Sequence, residues 1–151
     1  MYQIKKGNIT QVSSGIIVHG CNAQSVMGLG VAKDLRTMYP EIYSEYATHL
    51  AEFRHFDQSP LGSVNFVQVT DTLLIANAIT QIFYGRDGAK YVEYFAIREA
   101  LETVYHFARR HRINDIHLPK IGTGYGGGEW PIIENIIKES LAGRNTTVWE
   151  L

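Results

Sequence analysis

Hydrophobic and polar positions along the chain alternate between two periods. The β-branched run Ile16-Ile17-Val18, closing at His19, predicts a buried strand. Gly28 to Gly30 then open a helix through about Met38, and Pro40 stops it. A second helix is expected from Glu41 to about Phe53, with loop chemistry over 54–62. Val64–Val69 and Leu73–Ala78 predict two strands joined as a hairpin by Thr70-Asp71-Thr72. Tyr84 to Gly88 is rich in turn formers. From Val92 to His111, Ile97, Leu101, Val104 and Ala108 fall on one helical face. Asn114–Pro119 is an expected strand, and Glu129–Leu141 an expected helix with Pro131 in its first turn. Gly143 suits a helix C-cap. Strands at Tyr2–Lys6 and Thr146–Glu150 bring the number to six. Strands interleaved with helices imply an α/β fold whose sheet is mostly parallel.

Composition narrows the class without adding to the fold. The 151 residues are 45% hydrophobic and 19% charged, with a formal net charge of -1. One domain spanning 1–151 is expected, able to bury its own core. The near-zero charge gives no sign of a nucleic-acid grip. Arg109-Arg110-His111-Arg112 reads as a solvated helix end. The lone cysteine, Cys21, excludes an internal disulfide and a cysteine zinc cluster. The six histidines include no close pair on a helix face, so no metal site is expected. His49, His55, His106 and His111 read as surface residues. With neither a signal core nor an apolar run of ~20 residues, the expectation is a soluble, cytoplasmic protein away from membranes, a monomer by default.

Glycine changes the picture. Five of the 14 glycines lie between Gly122 and Gly128. Two segments share one design of strand, glycine-rich turn and helix: Ile16 to Ala32, and Ile116 to Gly128 followed by the last helix. Such turns present backbone N–H groups at the positive end of a helix, which suits phosphate. Two of them at one end of a parallel sheet would face one crevice. Familiar alternatives fail individually. No Gly-Lys-Ser or Gly-Lys-Thr of a P-loop occurs, and no G-x-S-x-G elbow. Gly122, Gly124 and Gly127 fit a dinucleotide fingerprint, but the acid at the next strand tip, Glu150, is the penultimate residue, and the further strands that such a fold needs after it are not expected. Met27 stands where a cysteine phosphatase would need arginine.

The opening Lys6-Gly7-Asn8-Ile9-Thr10, the loop from Gly20 to Ala32 and the loop from Ile121 to Gly128 occur in an order that resembles the macro domain family. The resemblance spans nearly the whole chain. It implies a three-layer α/β/α sandwich around a mixed, mostly parallel six-stranded sheet, and ADP-ribose as ligand. It implies that Asn8 accepts from the adenine amino group and that Ile9 meets adenine through its N–H. Asn22 would hold the distal ribose. Gly28, Leu29, Gly30 and Val31 would wrap the diphosphate from one side, and Gly122, Thr123, Gly124, Tyr125 and Gly126 from the other. Trp149 would lie beside the adenine or in the core. Where terminal ADP-ribose glycohydrolases of the family carry a lysine and an aspartate, this chain has Gln81 and Gly126. Val18 to Asn22, and Ala76 to Gln81 with Tyr84 to Gly88, resemble the phosphatase side instead. The expected activity is hydrolysis of ADP-ribose 1″-phosphate to ADP-ribose and phosphate, without metal or cofactor. His19 is the expected acid–base group, with Asn22 and Asp87 beside it. The rivals are a non-catalytic ADP-ribose reader and a hydrolase of another derivative, such as O-acetyl-ADP-ribose or an ADP-ribosylated macromolecule.

Overall fold

The computed structural model describes residues 1–151. Its strands are β1 (Tyr2–Lys6), β2 (Gly15–Cys21), β3 (Val64–Gln68), β4 (Leu73–Ile79), β5 (Asp115–Leu118) and β6 (Asn145–Glu150). Its helices are α1 (Gly30–Met38), α2 (Glu41–His55), α3 (Tyr94–Arg110) and α4 (Trp130–Ser140). Two short 3₁₀ turns, Ile9–Gln11 and Gly124–Gly126, carry no apolar periodicity and were not expected from the sequence. No helix is long and apolar enough to cross a membrane.

The six strands form one sheet in the order β1-β6-β5-β2-β4-β3. All neighbours are parallel except β3 and β4, the expected hairpin, which pair antiparallel with Val64 opposite Ala78. Alternation along the central strands sends residues to opposite faces. Ile16, Val18, Ala76, Ala78, Ile116, Leu118 and Val148 pack with Ile97, Leu101 and Val104 of α3 and Ile133 and Ile137 of α4. Ile17, Cys21, Ile75 and Ile79 pack on the other face with Leu35 of α1 and Ile42, Tyr46 and Leu50 of α2. The result is the three-layer α/β/α arrangement. Ile16, Ile17 and Val18 are fully buried, each contributing about 1.5–3 kcal/mol relative to exposure.

The structure differs from the sequence reading at two further places. β2 does not stop at His19: Gly20 and Cys21 continue the ladder opposite Ala78 and Ile79. The loop reading of Gly20 fails because the neighbouring Thr80 and Ile121 leave no room for a side chain there, so glycine serves packing within the strand. His49 is half-buried rather than a surface residue, with Nε2 2.8 Å from Ser63 Oγ. The Ser63 hydroxyl itself donates to Pro60 O, so the His49 N–H donates to Ser63.

Candidate functional site

The C-terminal ends of β2, β4 and β5 open into one cleft of about 200 Å³. β2 lies between β4 and β5, and the chains leaving these strands depart to opposite faces of the sheet. This is the crevice where open α/β sheets bind ligands. The two glycine loops supply facing walls. Gly28, Leu29 and Val31 line one side, and Gly122, Thr123, Tyr125 and Gly126 the other. Gly30 and Gly124 begin the adjoining helical turns. α1 starts after Leu29 with no side-chain cap and no acidic residue in its first turn, so its leading N–H groups remain free for an anion.

The second loop needs glycine for two separate reasons. Gly122 has φ +77°, and a Cβ there would sit 3.0–3.1 Å from methyl groups of Ile133, Ile97 and Val92. Gly124 has φ +59° with open space around it, so conformation alone demands glycine. The loop is tied to the β4–α3 connection by Tyr91 N and Val92 N, which donate to Gly126 O at 2.8 and 3.0 Å.

Asn22 lines the cleft at 9% exposure and builds the first loop. Its Nδ2 donates to Val26 O at 2.9 Å, and its Oδ1 accepts from Gln24 N at 2.9 Å. From the core beneath, the Tyr46 hydroxyl donates to the Asn22 carbonyl at 2.6 Å and lies 2.9 Å from Oδ1. One Nδ2 hydrogen stays uncommitted.

His19 also lines the cleft, but it is 1% exposed. Its Nε2 is 2.6 Å from Asn77 Oδ1. The Asn77 amide nitrogen donates to Ile42 O and Asn65 Oδ1, which fixes its oxygen as the acceptor and His19 Nε2 as the donor. Burial lowers the imidazole from 6.5 to about 4, against an upward pull from the Asn77 bond. His19 is therefore neutral near pH 7, with its one proton committed to Asn77. Burial likewise pushes up the neighbouring Cys21 thiol. No Asp or Glu lines the cleft.

The remaining expected residues lie outside the lining. Asp87 is exposed in the β4–α3 connection, where Oδ1 accepts from Ala89 N at 3.1 Å and the Tyr91 hydroxyl at 2.9 Å. These bonds hold its carboxyl below the usual range, the Ala89 N–H first. Asn8 caps the first 3₁₀ turn, its Oδ1 accepting from Thr10 N at 3.0 Å and Thr10 Oγ1 at 2.8 Å. Ile9 is buried against the α1–α2 face. Trp149 packs at the margin of that face and donates from Nε1 to His117 Nδ1 at 3.0 Å. Gln81 and Gly126 do come together in the cleft: a Cβ on Gly126 would lie 3.3 Å from Gln81 Oε1, while Gln81 Nε2 donates to Phe83 O.

Sequence reasoning missed Asn77, Tyr46 and Thr80. Asn77 and Thr80 are polar interruptions of the apolar run Leu73–Ile79 and its end, a signal that was present. Tyr46 gave none, because a tyrosine on the inner face of a helix reads as core.

Comparison with known proteins agrees with this architecture. Residues 18–137 match the family profile described as Macro domain. An "ADP-ribose 1″-phosphate phosphatase" of Candida glabrata is 28% identical over 180 aligned positions, covering 97% of this chain and 96% of that protein. A "DNA ADP-ribosyl glycohydrolase" of Thermus aquaticus is 26% identical, covering 99% of this chain but 40% of the relative. A macrodomain protein of Streptomyces coelicolor superposes with a TM-score of 0.84 at 29% identity, over 100% of this chain and 99% of that one. With the fold, the crevice and the two glycine loops in agreement with the family profile over most of its length, the chain belongs to the macro domain family.

Proposed function

We propose that the cleft binds ADP-ribose 1″-phosphate and hydrolyses it to ADP-ribose and inorganic phosphate. The observation that carries this reading is the pair of glycine loops facing each other across one crevice, one leading into the uncapped N-terminus of α1. Backbone donors there would hold the diphosphate and the terminal phosphate in fixed geometry, and such positioning supplies much of a phosphoryl-transfer rate. Water attacks phosphorus, the ester P–O bond breaks, and the distal ribose oxygen leaves with a proton. With no carboxylate in the lining, the proton acceptor is either Nδ1 of neutral His19, which lies 3.9 Å from Cys21 Sγ, or a phosphate oxygen of the substrate. A full-length relative named for this phosphatase activity supports the substrate. Gln81 and Gly126 supply neither an amine nor a carboxylate, which weighs against the glycohydrolase route.

A second reading, an ADP-ribose reader without turnover, is favoured by one feature: the His19 proton is committed to Asn77, and Asp87 lies outside the cleft lining. Incubating the pure protein with ADP-ribose 1″-phosphate and following phosphate release separates the two. Release above buffer supports the phosphatase. No release, with ADP-ribose bound in calorimetry, supports the reader.

A further inference from the structure

The floor of the cleft holds a polar atom that the fold leaves unused. Thr80 follows β4, lines the cleft and is 1% exposed. Its backbone is fully engaged: Thr80 N donates to Cys21 O at 3.0 Å, and Glu93 N donates to Thr80 O at 2.9 Å. Its side-chain Oγ1 is buried and has no hydrogen-bond partner. An unpaired buried hydroxyl destabilises the protein, and valine would fill the same space without that cost. The hydroxyl faces Gly20, since a Cβ on Gly20 would stand 2.9 Å from Oγ1. Gly20 also lines the cleft, and its hydrogen in place of a side chain lets the hydroxyl stand at the cleft floor, with Ile121 as the apolar neighbour.

We propose that Thr80 is a specificity-determining residue whose hydroxyl pairs with an oxygen at the distal end of the ligand, a ribose hydroxyl or an oxygen of the group that ribose carries. The inference rests on the ADP-ribose reading above. Asn22 and Gln81 line the same cleft, whereas Asn8, Ile9 and Trp149, the residues expected near adenine, do not. The end seated over Thr80 is therefore the end without the base. A threonine hydroxyl both donates and accepts, so it can serve a phosphate oxygen or a sugar hydroxyl. The pair would form where water does not reach, which strengthens the bond.

The test uses Thr80→Val and Thr80→Ser, with calorimetry for ADP-ribose and for ADP, and melting without ligand. Thr80→Val is expected to weaken ADP-ribose about fivefold or more, the value of one hydrogen bond of ordinary strength. ADP, which lacks the distal ribose, should bind Thr80→Val as it binds the parent. Thr80→Ser should keep ADP-ribose affinity within about twofold of the parent. The ligand-free melting temperature of Thr80→Val should equal or exceed that of the parent. Unchanged ADP-ribose affinity in Thr80→Val, an equal loss for ADP, or a clearly lower ligand-free melting temperature each overturns the inference while leaving the functional reading intact. A parent protein that binds no ADP-ribose overturns both.

Discussion

Replacing Asn22 separates loop architecture from ligand contact. Asn22→Ala removes the bond to Val26 O, the acceptor for Gln24 N and a neighbour of the Tyr46 hydroxyl. The Tyr46 hydroxyl keeps the Asn22 carbonyl, and Gln24 is exposed, so its N–H finds water. The net loss is then about two ordinary hydrogen bonds, or about 2 kcal/mol. For a chain of this length that corresponds to a fall of about 4–8 °C in melting temperature. The loop from Asn22 to Leu29 leads into the free N–H groups of α1, so ADP-ribose affinity should fall about tenfold, a further 1.4 kcal/mol lost from the bound state. Asn22→Asp keeps the acceptor for Gln24 and Tyr46 but loses the donor to Val26 O, against which a carboxylate oxygen would then sit, so its melting temperature should fall as well. Its carboxylate would face the phosphates, so its affinity loss should be at least as large. Differential scanning fluorimetry and calorimetry read both quantities. If Asn22→Ala matches the parent in melting temperature and in ADP-ribose affinity, Asn22 neither holds the loop nor meets the ligand, and the reasoning fails.

Three other outcomes are expected. Gly124→Val forces a branched residue to φ +59° at a cost of about 1–2 kcal/mol, and it should abolish ADP-ribose binding while circular dichroism shows the fold retained; parental affinity would mean the second loop does not cradle phosphate. Asn8→Leu removes the cap on Thr10 N and should cost about 1 kcal/mol in urea denaturation, whereas Asn8→Asp should retain parental stability; equal stabilities for the two variants would contradict the cap. The His19 pKa is lower in the folded protein than its ordinary value, so the unfolded chain binds more protons, and stability is full above about pH 6.5 and declines toward pH 4 by about 3 kcal/mol. His49 and His117 are lowered too and add to the same slope, so His19→Gln should show a shallower pH dependence than the parent between those limits, and equal slopes would contradict the burial argument.

Much of the fold is legible because the apolar pattern is strong where burial is complete. The runs Ile16–Val18 and Leu73–Ala78 and the Ile97–Ala108 face of α3 mark the sheet and one helical layer without tertiary information. The two glycine loops mark the crevice, since two strand–glycine–helix turns at the same end of a parallel sheet face each other. The boundaries that failed are those set by distant partners. Gly20 reads as a turn but stays in the strand, because its neighbours across the sheet, not its propensity, decide its conformation. The roles of individual polar side chains are less legible for the same reason. His19 at the end of an apolar run offers no hint that Asn77, far away in sequence, occupies its Nε2 proton. Asp87 lies in a turn-rich stretch that fits either a catalytic loop or a local turn, and the local bonds to Ala89 and Tyr91 emerge only in three dimensions.

The central claim is that the two glycine loops bind one ADP-ribose between them. A titration of the isotope-labelled protein with ADP-ribose, followed by amide chemical shifts, tests it most directly. Saturable shifts are expected at Leu29, Gly30 and Val31 together with Thr123, Gly124, Tyr125 and Gly126. Ser14, Asp71 and Asn114, which line the groove at the opposite end of the sheet, should stay in place. Shifts concentrated at that opposite groove, or at one glycine loop without the other, would contradict it.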